Sequence, residues 1–423
     1  MASYLVRMAR ARLAGISSQY RLAAADEPVL GRIASCGLYL HVPFCRTICP
    51  YCPYFKVVYD SRLAARYAQA MLAEIEMIHR RVGRLAVSSI YIGGGTPTLC
   101  MDELGVILDR IRDRFDVRGD VCIETAPTAC DAAVAEKLKR FGVSLVSLGI
   151  QSFNDKYLSF LGRGYGGDVL RPIVRRLVRA GFKSVNADLM FAMPGQSCGD
   201  LLDDLSQTVS LGIDQVTMYP LFTFPHASVA AHLRAGRVRT PGLWRRRRQF
   251  RLISAFFAER GFVRSSIWSF RRPGAPKYSS ATRDSYIGLG AGACSHTPAG
   301  MFLNTFSVEQ YIARCLAGRF PTALAMEFSD EMQKFFWLYW RLYETKVGKD
   351  SLHERFGRDD EKLARLLRWL RIFGWLRDDN GCYSLNDTGA FWVHLMQNHF
   401  ILDYINKVWS VATKDPWPKE IVL

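Results

Sequence analysis

Tyr39 to Cys52 reads YLHVPFCRTICPYC, which puts three thiols within eight residues among proline and aromatic side chains. Cys45, Cys49 and Cys52 make CxxxCxxC, and thiols at this spacing read as metal ligands. A tetrahedral zinc site needs a fourth ligand, and structural zinc draws on two ligand pairs, but the chain has no second CxxC pair. Zinc is therefore the weaker reading. A four-iron cluster held by three thiolates leaves one iron open, where a small chelating molecule could bind and receive an electron. The triplet is thus a candidate for both metal binding and catalysis.

The elements that would position this loop follow from periodicity. Between about residues 36 and 225, short β-rich runs alternate with helical segments. The predicted strands are Leu38–Val42, Ala86–Ile92, Val121–Thr125, Ser144–Ile150, Ser184–Met190 and Gln215–Leu221. Apolar residues at helical spacing, such as Leu63, Tyr67, Met71, Ile75 and Ile78, lie between them. Alternation at this pitch predicts parallel β/α units. Six units are too few for a closed eight-fold barrel. The expected fold class is α/β, a partial (β/α)6 barrel with its chemistry at the C-terminal ends of the strands. The cysteines follow the first predicted strand.

The sequence resembles the radical S-adenosylmethionine (SAM) enzymes, which share CxxxCxxC with an aromatic residue, here Tyr51, before the last cysteine. In that superfamily the open iron is chelated by SAM, and the reduced cluster cleaves it to methionine and a 5′-deoxyadenosyl radical. More narrowly, residues 36–300 resemble the oxygen-independent coproporphyrinogen III dehydrogenase family and its relatives. The segments that carry this likeness are YLHVPFC, YIGGGTPT, LGIQSFND, NADLMFAMPGQ and IGLGAGACS. The resemblance implies that Tyr39, Gly94, Gly95, Thr96 and Glu124 serve a first SAM at the cluster, with Cys294 a weaker candidate. It implies a second SAM beside Tyr51, Gln151, Arg163 and Asp188. It also implies a [4Fe-4S] cluster and a reducing partner such as flavodoxin or ferredoxin.

Two departures bear on the reaction. Family dehydrogenases have a further cysteine two residues after the third, where this chain has Tyr54. The haem-binding HNxxYW of the chaperone branch is replaced by KYSSATRDSY, Lys277–Tyr286. The expectation drawn from these is a two-SAM enzyme of the methyltransferase or C–C bond-forming type acting on an unsaturated small molecule. Hydrogen abstraction from the methyl of the second SAM would generate the attacking radical. Coproporphyrinogen dehydrogenase is the alternative, followed by a non-catalytic haem chaperone.

Composition bounds the remaining possibilities. The chain has 423 residues, 49% hydrophobic and 22% charged, with no apolar run long enough for a membrane span. Eleven cysteines, an odd number without a secretory leader, predict reduced thiols and a cytoplasmic protein. Outside the triplet they read as buried small hydrophobes, and His41 reads as a packed histidine. The net charge is +17. The run Arg245–Arg248 sits among helically spaced apolar residues, so it reads as a solvated helix face and no nucleic-acid partner is expected. The first 25 residues carry four arginines and no acidic residue, the composition of a basic helix or a transit peptide. The expected division is a basic segment 1–35, a barrel with its extension 36–325, and a helical, winged-helix-like domain 326–423. A monomer with a small-molecule substrate and no membrane partner is expected.

Overall fold

The computed structural model describes residues 20–222, 224, 239–279 and 284–423, except the side chains of His399 and Phe400. Most of the basic N-terminal segment and Ser280–Arg283 of the KYSSATRD stretch lie outside the described residues.

Six parallel strands form the barrel wall: β1 (Ser35–Val42), β2 (Ala86–Gly94), β3 (Val121–Thr125), β4 (Val143–Gln151), β5 (Ser184–Phe191) and β6 (Gln215–Pro220). Each pairs with the next in chain order. That order follows from short right-handed crossovers through helices. The first of these, α1 (Ser61–Val82), begins where the Asp60 carboxylate accepts from Leu63 N at 2.8 Å. Its Ala64, Tyr67, Met71, Ile75 and Ile78 are buried against the sheet, one face of a 3.6-residue repeat. Helices Met101–Arg114, Ala132–Arg140, Gly167–Arg179 and Cys198–Ser210 cover the following crossovers in the same way. All six predicted strands are present within a few residues of their expected limits.

The wall stays open. Beyond β1 the sheet continues through Tyr286–Leu289, which is also parallel, and then through antiparallel Cys294–Thr297, Gly300–Asn304 and Thr322–Glu327. Arg21–Ala24 pairs with both Thr322–Glu327 and the C-terminal Glu420–Val422. Beyond β6 lies a short hairpin. Val263–Arg264 and Ser269–Arg271 pair antiparallel. The chain reverses because Ser265 N donates to Ser269 O at 2.8 Å, and this tucks Ile267 and Trp268 into the core.

After Thr322–Glu327 the helix Asp330–Tyr343 begins at Ser329, whose hydroxyl accepts from Met332 N. Two further helices, a three-stranded sheet whose hairpin turns at Asn380–Gly381, and the long helix Asp387–Ala412 complete the chain. This is the arrangement expected of a winged-helix-like module. No helix among the described residues is long and apolar enough to cross a membrane. The arginine run lies on helix Leu243–Glu259, whose Phe250, Ile253, Phe256 and Phe257 are buried. Arg245 and Arg246 donate to the carbonyls of Gln196 and Pro241, each at 3.0 Å, so two of the four cations cap backbone groups.

Candidate active site

The cysteine loop leaves β1 and is tied to the second strand at its exit. Gly95 N donates to Val42 O at 2.8 Å and Thr96 N to Phe44 O at 2.7 Å. Thr96 Oγ1 lies 3.9 Å from Cys45 Sγ, a donor to the sulfur. Gly95 has no room for a side chain: a Cβ there would sit 2.5 Å from Phe44 O and 2.9 Å from Cys45 Sγ. Lys56 Nζ donates to Cys52 O at 2.8 Å and Tyr54 O at 3.1 Å, closing the far end of the loop.

Burial pushes the Cys45 thiol up to about 11; the Thr96 hydrogen bond opposes it, and the neighbouring Cys52 and Cys49 add to it. Cys52 is likewise raised by burial, with the Lys56 ammonium opposing. The three thiols therefore lie close together in a desolvated site, with Lys56 acting on Cys52 and Arg163 on Cys49. No three His, Cys, Asp or Glu side chains among the described residues converge on one metal ion. Three neighbouring thiols suit separate corners of a multi-iron cluster, whose positive irons would stabilise the thiolates.

The inward faces of the barrel strands carry the next layer. Period-two alternation places Tyr39 and His41 on β1, Tyr91 on β2, Glu124 on β3, Ser147 on β4, Asn186 and Asp188 on β5 and Tyr219 on β6 toward the interior. The Tyr91 hydroxyl donates to Glu124 Oε1, and Gly94 N lies 3.4 Å from Glu124 Oε2. A Cβ on Gly93 would meet that carboxylate at 2.9 Å, which gives the glycines of GGGTP a steric reason. Tyr39 OH and His41 Nδ1 are 2.7 Å apart, and His41 Nε2 lies 3.0 Å from Phe55 O. Both ring nitrogens are thereby engaged. Burial lowers His41 to about 4, so it stays neutral and packed, as expected.

Asp188 accepts from Ser147 Oγ and Asn186 Nδ2, each at 2.9 Å. Burial, reinforced by the negative charge of Glu124, raises it to about 7. Glu124 is itself raised by burial. Tyr54 is 57% exposed, with Glu124, Cys52, Asp188 and Tyr343 as electrostatic neighbours.

A second group forms beside the cysteines. Arg163 Nη2 donates to Tyr51 OH at 2.7 Å and to Gly149 O at 3.2 Å. The guanidinium lies 5.9 Å from the ring centres of both Tyr51 and Tyr165. Gln151 has φ +72°, a left-handed conformation that ends β4, and its amide nitrogen would be 3.1 Å from a Cβ on Gly149. Tyr51, Gln151 and Arg163 thus meet at one point, while Asp188 is grouped with Glu124. Cys294 donates to Ser295 O at 3.7 Å, and burial raises it to about 11, with Tyr286 and Tyr404 hydrogen-bonded to it. The expected residues therefore fall into three adjoining groups.

Sequence reasoning missed Tyr91, Tyr278 and Tyr404. Tyr91 was available from alternation, two residues before Gly93 on the same face. Tyr278 OH donates to Tyr91 OH at 2.8 Å from a segment with no periodic signal.

A model of the radical SAM superfamily matches residues 39–207, the stretch that holds the cysteines and five barrel strands. A heme chaperone HemW of Mycobacterium tuberculosis is 30% identical over 273 residues, covering 63% of this chain and 70% of that protein. The chain belongs to the HemN/HemW family of the radical SAM superfamily. An anaerobilin synthase of Escherichia coli O157:H7 is 26% identical over 368 residues, 84% of this chain and 81% of that protein. An oxygen-independent coproporphyrinogen III oxidase of Paracoccus denitrificans is 27% identical over 361 residues, 79% of this chain and 78% of that protein. The fold of the HemN/HemW family is seen in the coproporphyrinogen III oxidase HemN of E. coli, with a TM-score of 0.75 at 19% identity over 92% of this chain and 97% of that one. Membership implies a [4Fe-4S] cluster and SAM. These names back the alternatives of oxidase and chaperone better than the expected methyltransferase.

Proposed function

We propose that this chain is a radical SAM enzyme that acts on a cyclic tetrapyrrole, with oxidation of a porphyrinogen as its reaction. The observation that supports it best is the gathering of Glu124, Asp188, Cys52 and the 57% exposed Tyr54 at the strand ends. Names of relatives supply the substrate class: heme chaperone and coproporphyrinogen III oxidase both name tetrapyrroles.

Cys45, Cys49 and Cys52 would hold the cluster, which, with SAM bound and one electron supplied, generates a carbon-centred radical able to abstract hydrogen. A reducing partner such as flavodoxin or ferredoxin would supply that electron. The residues of the chain bind, orient and exclude water. Gly94 and Gly95 present bare backbone to the ligand, and Glu124, held by Tyr91, accepts from its hydroxyl or ammonium groups. Tyr39, fixed by His41, packs alongside, and Thr96 steadies Cys45. Arg163, aligned by Tyr51, offers a planar fork to a carboxylate, and Gln151 and Asp188 would complete a second SAM position. Tyr343 and Tyr404 reach the site from the C-terminal helices and help keep water out.

Tyr54 favours one second reading. Its exposed phenol occupies the place of the family's further cysteine, with Glu124, Cys52 and Asp188 as electrostatic neighbours, which suits methyl transfer or another reaction at the same centre. The test is anaerobic: reconstitute with iron and sulfide, add SAM, reductant and coproporphyrinogen, and quantify products. Formation of 5′-deoxyadenosine with carbon dioxide supports oxidation. S-adenosylhomocysteine without carbon dioxide replaces it with methyl transfer, and tight haem binding without SAM cleavage replaces it with a binding role.

A further inference from the structure

Aromatic rings from three segments of the chain form a continuous ladder at the surface. Trp244 and Trp392 meet at 6.3 Å between ring centres, Trp392 and Trp375 stack at 6.4 Å, and Trp375 touches Phe373 at 5.1 Å and Trp369 at 5.3 Å. Both ends of the ladder are open to solvent: Trp244 is 59% exposed, Phe373 46% and the adjoining Ile372 74%. Large apolar side chains left out at both ends of one connected cluster mark an interaction surface.

The arginine run, expected as a solvated helix face, lies along this ladder. On helix Leu243–Glu259, Trp244, Arg248 and Arg251 fall on one stripe, opposite buried Phe250, Ile253 and Phe257. The Arg247 guanidinium lies 5.9 Å from the Trp244 ring centre and 5.8 Å from that of Trp392. On helix Glu361–Ile372, Arg365, Arg368 and Ile372 share the stripe opposite buried Leu363 and Leu370. Arg248, Arg251, Arg365 and Arg368 are exposed and have no ion-pair partner among the described residues. Each helix carries a single acidic residue, Glu259 or Glu361, at the end away from the rings. Asp378, on the neighbouring strand, is already held by Lys349 and Arg371.

We propose that this face docks the protein onto an anionic lipid bilayer, with Trp244, Ile372 and Phe373 entering the headgroup boundary and the arginines pairing with lipid phosphates. Interfaces between proteins set an apolar core inside a polar rim and keep charge out of that core. Here a guanidinium lies against two rings of the ladder, and this mixture of tryptophan and arginine suits the boundary between headgroups and acyl chains. The net charge of +17 draws the whole chain toward an anionic surface, and the ladder decides which face lands on it. A nucleic-acid duplex fits less well, because Asp359, Asp360 and Glu361 stand at the start of the helix that a winged-helix module would present to it. The proposal does not depend on the tetrapyrrole reading.

The full chain is sedimented with vesicles of phosphatidylcholine alone and with vesicles of phosphatidylcholine and phosphatidylglycerol in equal parts. Wild type is expected to sediment with the mixed vesicles and to stay in solution with the neutral ones. Trp244→Ser and Ile372→Ser each lower the partition coefficient roughly tenfold, the loss expected when a large apolar side chain no longer leaves water. Arg248→Gln and Arg368→Gln each lower it roughly fivefold. All four side chains are exposed, so thermal melting followed by circular dichroism should be unchanged, which separates lost docking from lost folding. Failure of wild type to bind the mixed vesicles overturns the proposal. Weakening by the arginine variants alone also overturns it, because the general attraction of a +17 chain then needs no ladder. Where vesicles are not bound, binding of a DNA duplex, or a dimer in solution that Trp244→Ser dissociates, assigns the face to nucleic acid or to a second copy instead.

Discussion

Arg163 and Tyr51, 112 residues apart in sequence, are joined by a 2.7 Å hydrogen bond that ties the cysteine loop to the end of β4. The same guanidinium binds the Gly149 carbonyl, so one side chain links the loop to the barrel wall. Lysine cannot keep both bonds with one planar fork. Arg163→Lys is expected to loosen the loop, and reconstituted protein should lose its visible iron–sulfur absorbance faster in air than wild type. An unchanged decay rate would show that Arg163 plays no part in holding the loop.

Gly95 faces the Phe44 carbonyl and Cys45 sulfur with no space for a methyl group. Gly95→Ala should therefore displace Cys45 and lower iron bound after reconstitution to well below wild type. Gly164, where a Cβ would meet nothing within 4 Å, provides the control. Gly164→Ala should bind iron normally, and iron analysis of both proteins compares them directly.

Asp188 is raised from near 3.8 to about 7 by burial and the Glu124 charge. Between these values the folded chain holds a proton that the unfolded chain has released. Its contribution to stability is therefore full at low pH and falls as pH rises toward about 7. Asp188→Asn removes this dependence. Its urea midpoint relative to wild type should rise across that window, and a constant difference would refute the assignment.

Glu74 is a buried carboxylate on α1 that accepts from Gly290 N at 2.8 Å, Asn304 Nδ2 at 2.7 Å and Tyr311 OH at 2.6 Å. It anchors the glycine-rich turn that precedes Cys294. Glu74→Ala leaves those donors unpaired and should destabilise the fold by about 3 kcal/mol or more. Tyr311→Phe, which removes a single donor, should cost about 1 kcal/mol, and chemical denaturation measures both.

Much of the barrel and its metal loop was legible because those features are local. Six strands showed as β-rich runs at regular pitch, and three cysteines within eight residues declare their chemistry before any fold is known. The hairpin of Val263–Arg264 and Ser269–Arg271 was not legible, because its reversal depends on Ser265 finding Ser269, which composition does not encode. The family likeness named Glu124, Arg163 and Asp188, but not what holds them.

By itself the sequence determined the cysteine triplet, the order of the parallel strands and the inward alternation that sends Tyr39 and Glu124 into the barrel. Those properties depend on spacing along one chain. Only the tertiary structure decided that Tyr278 would reach Tyr91, that Glu74 would cap Gly290 across 216 residues, and that Lys277 would meet Glu344 across 67. Each of these contacts needs two distant segments brought to a common point by strand register and by the docking of the C-terminal helices. No local pattern records either.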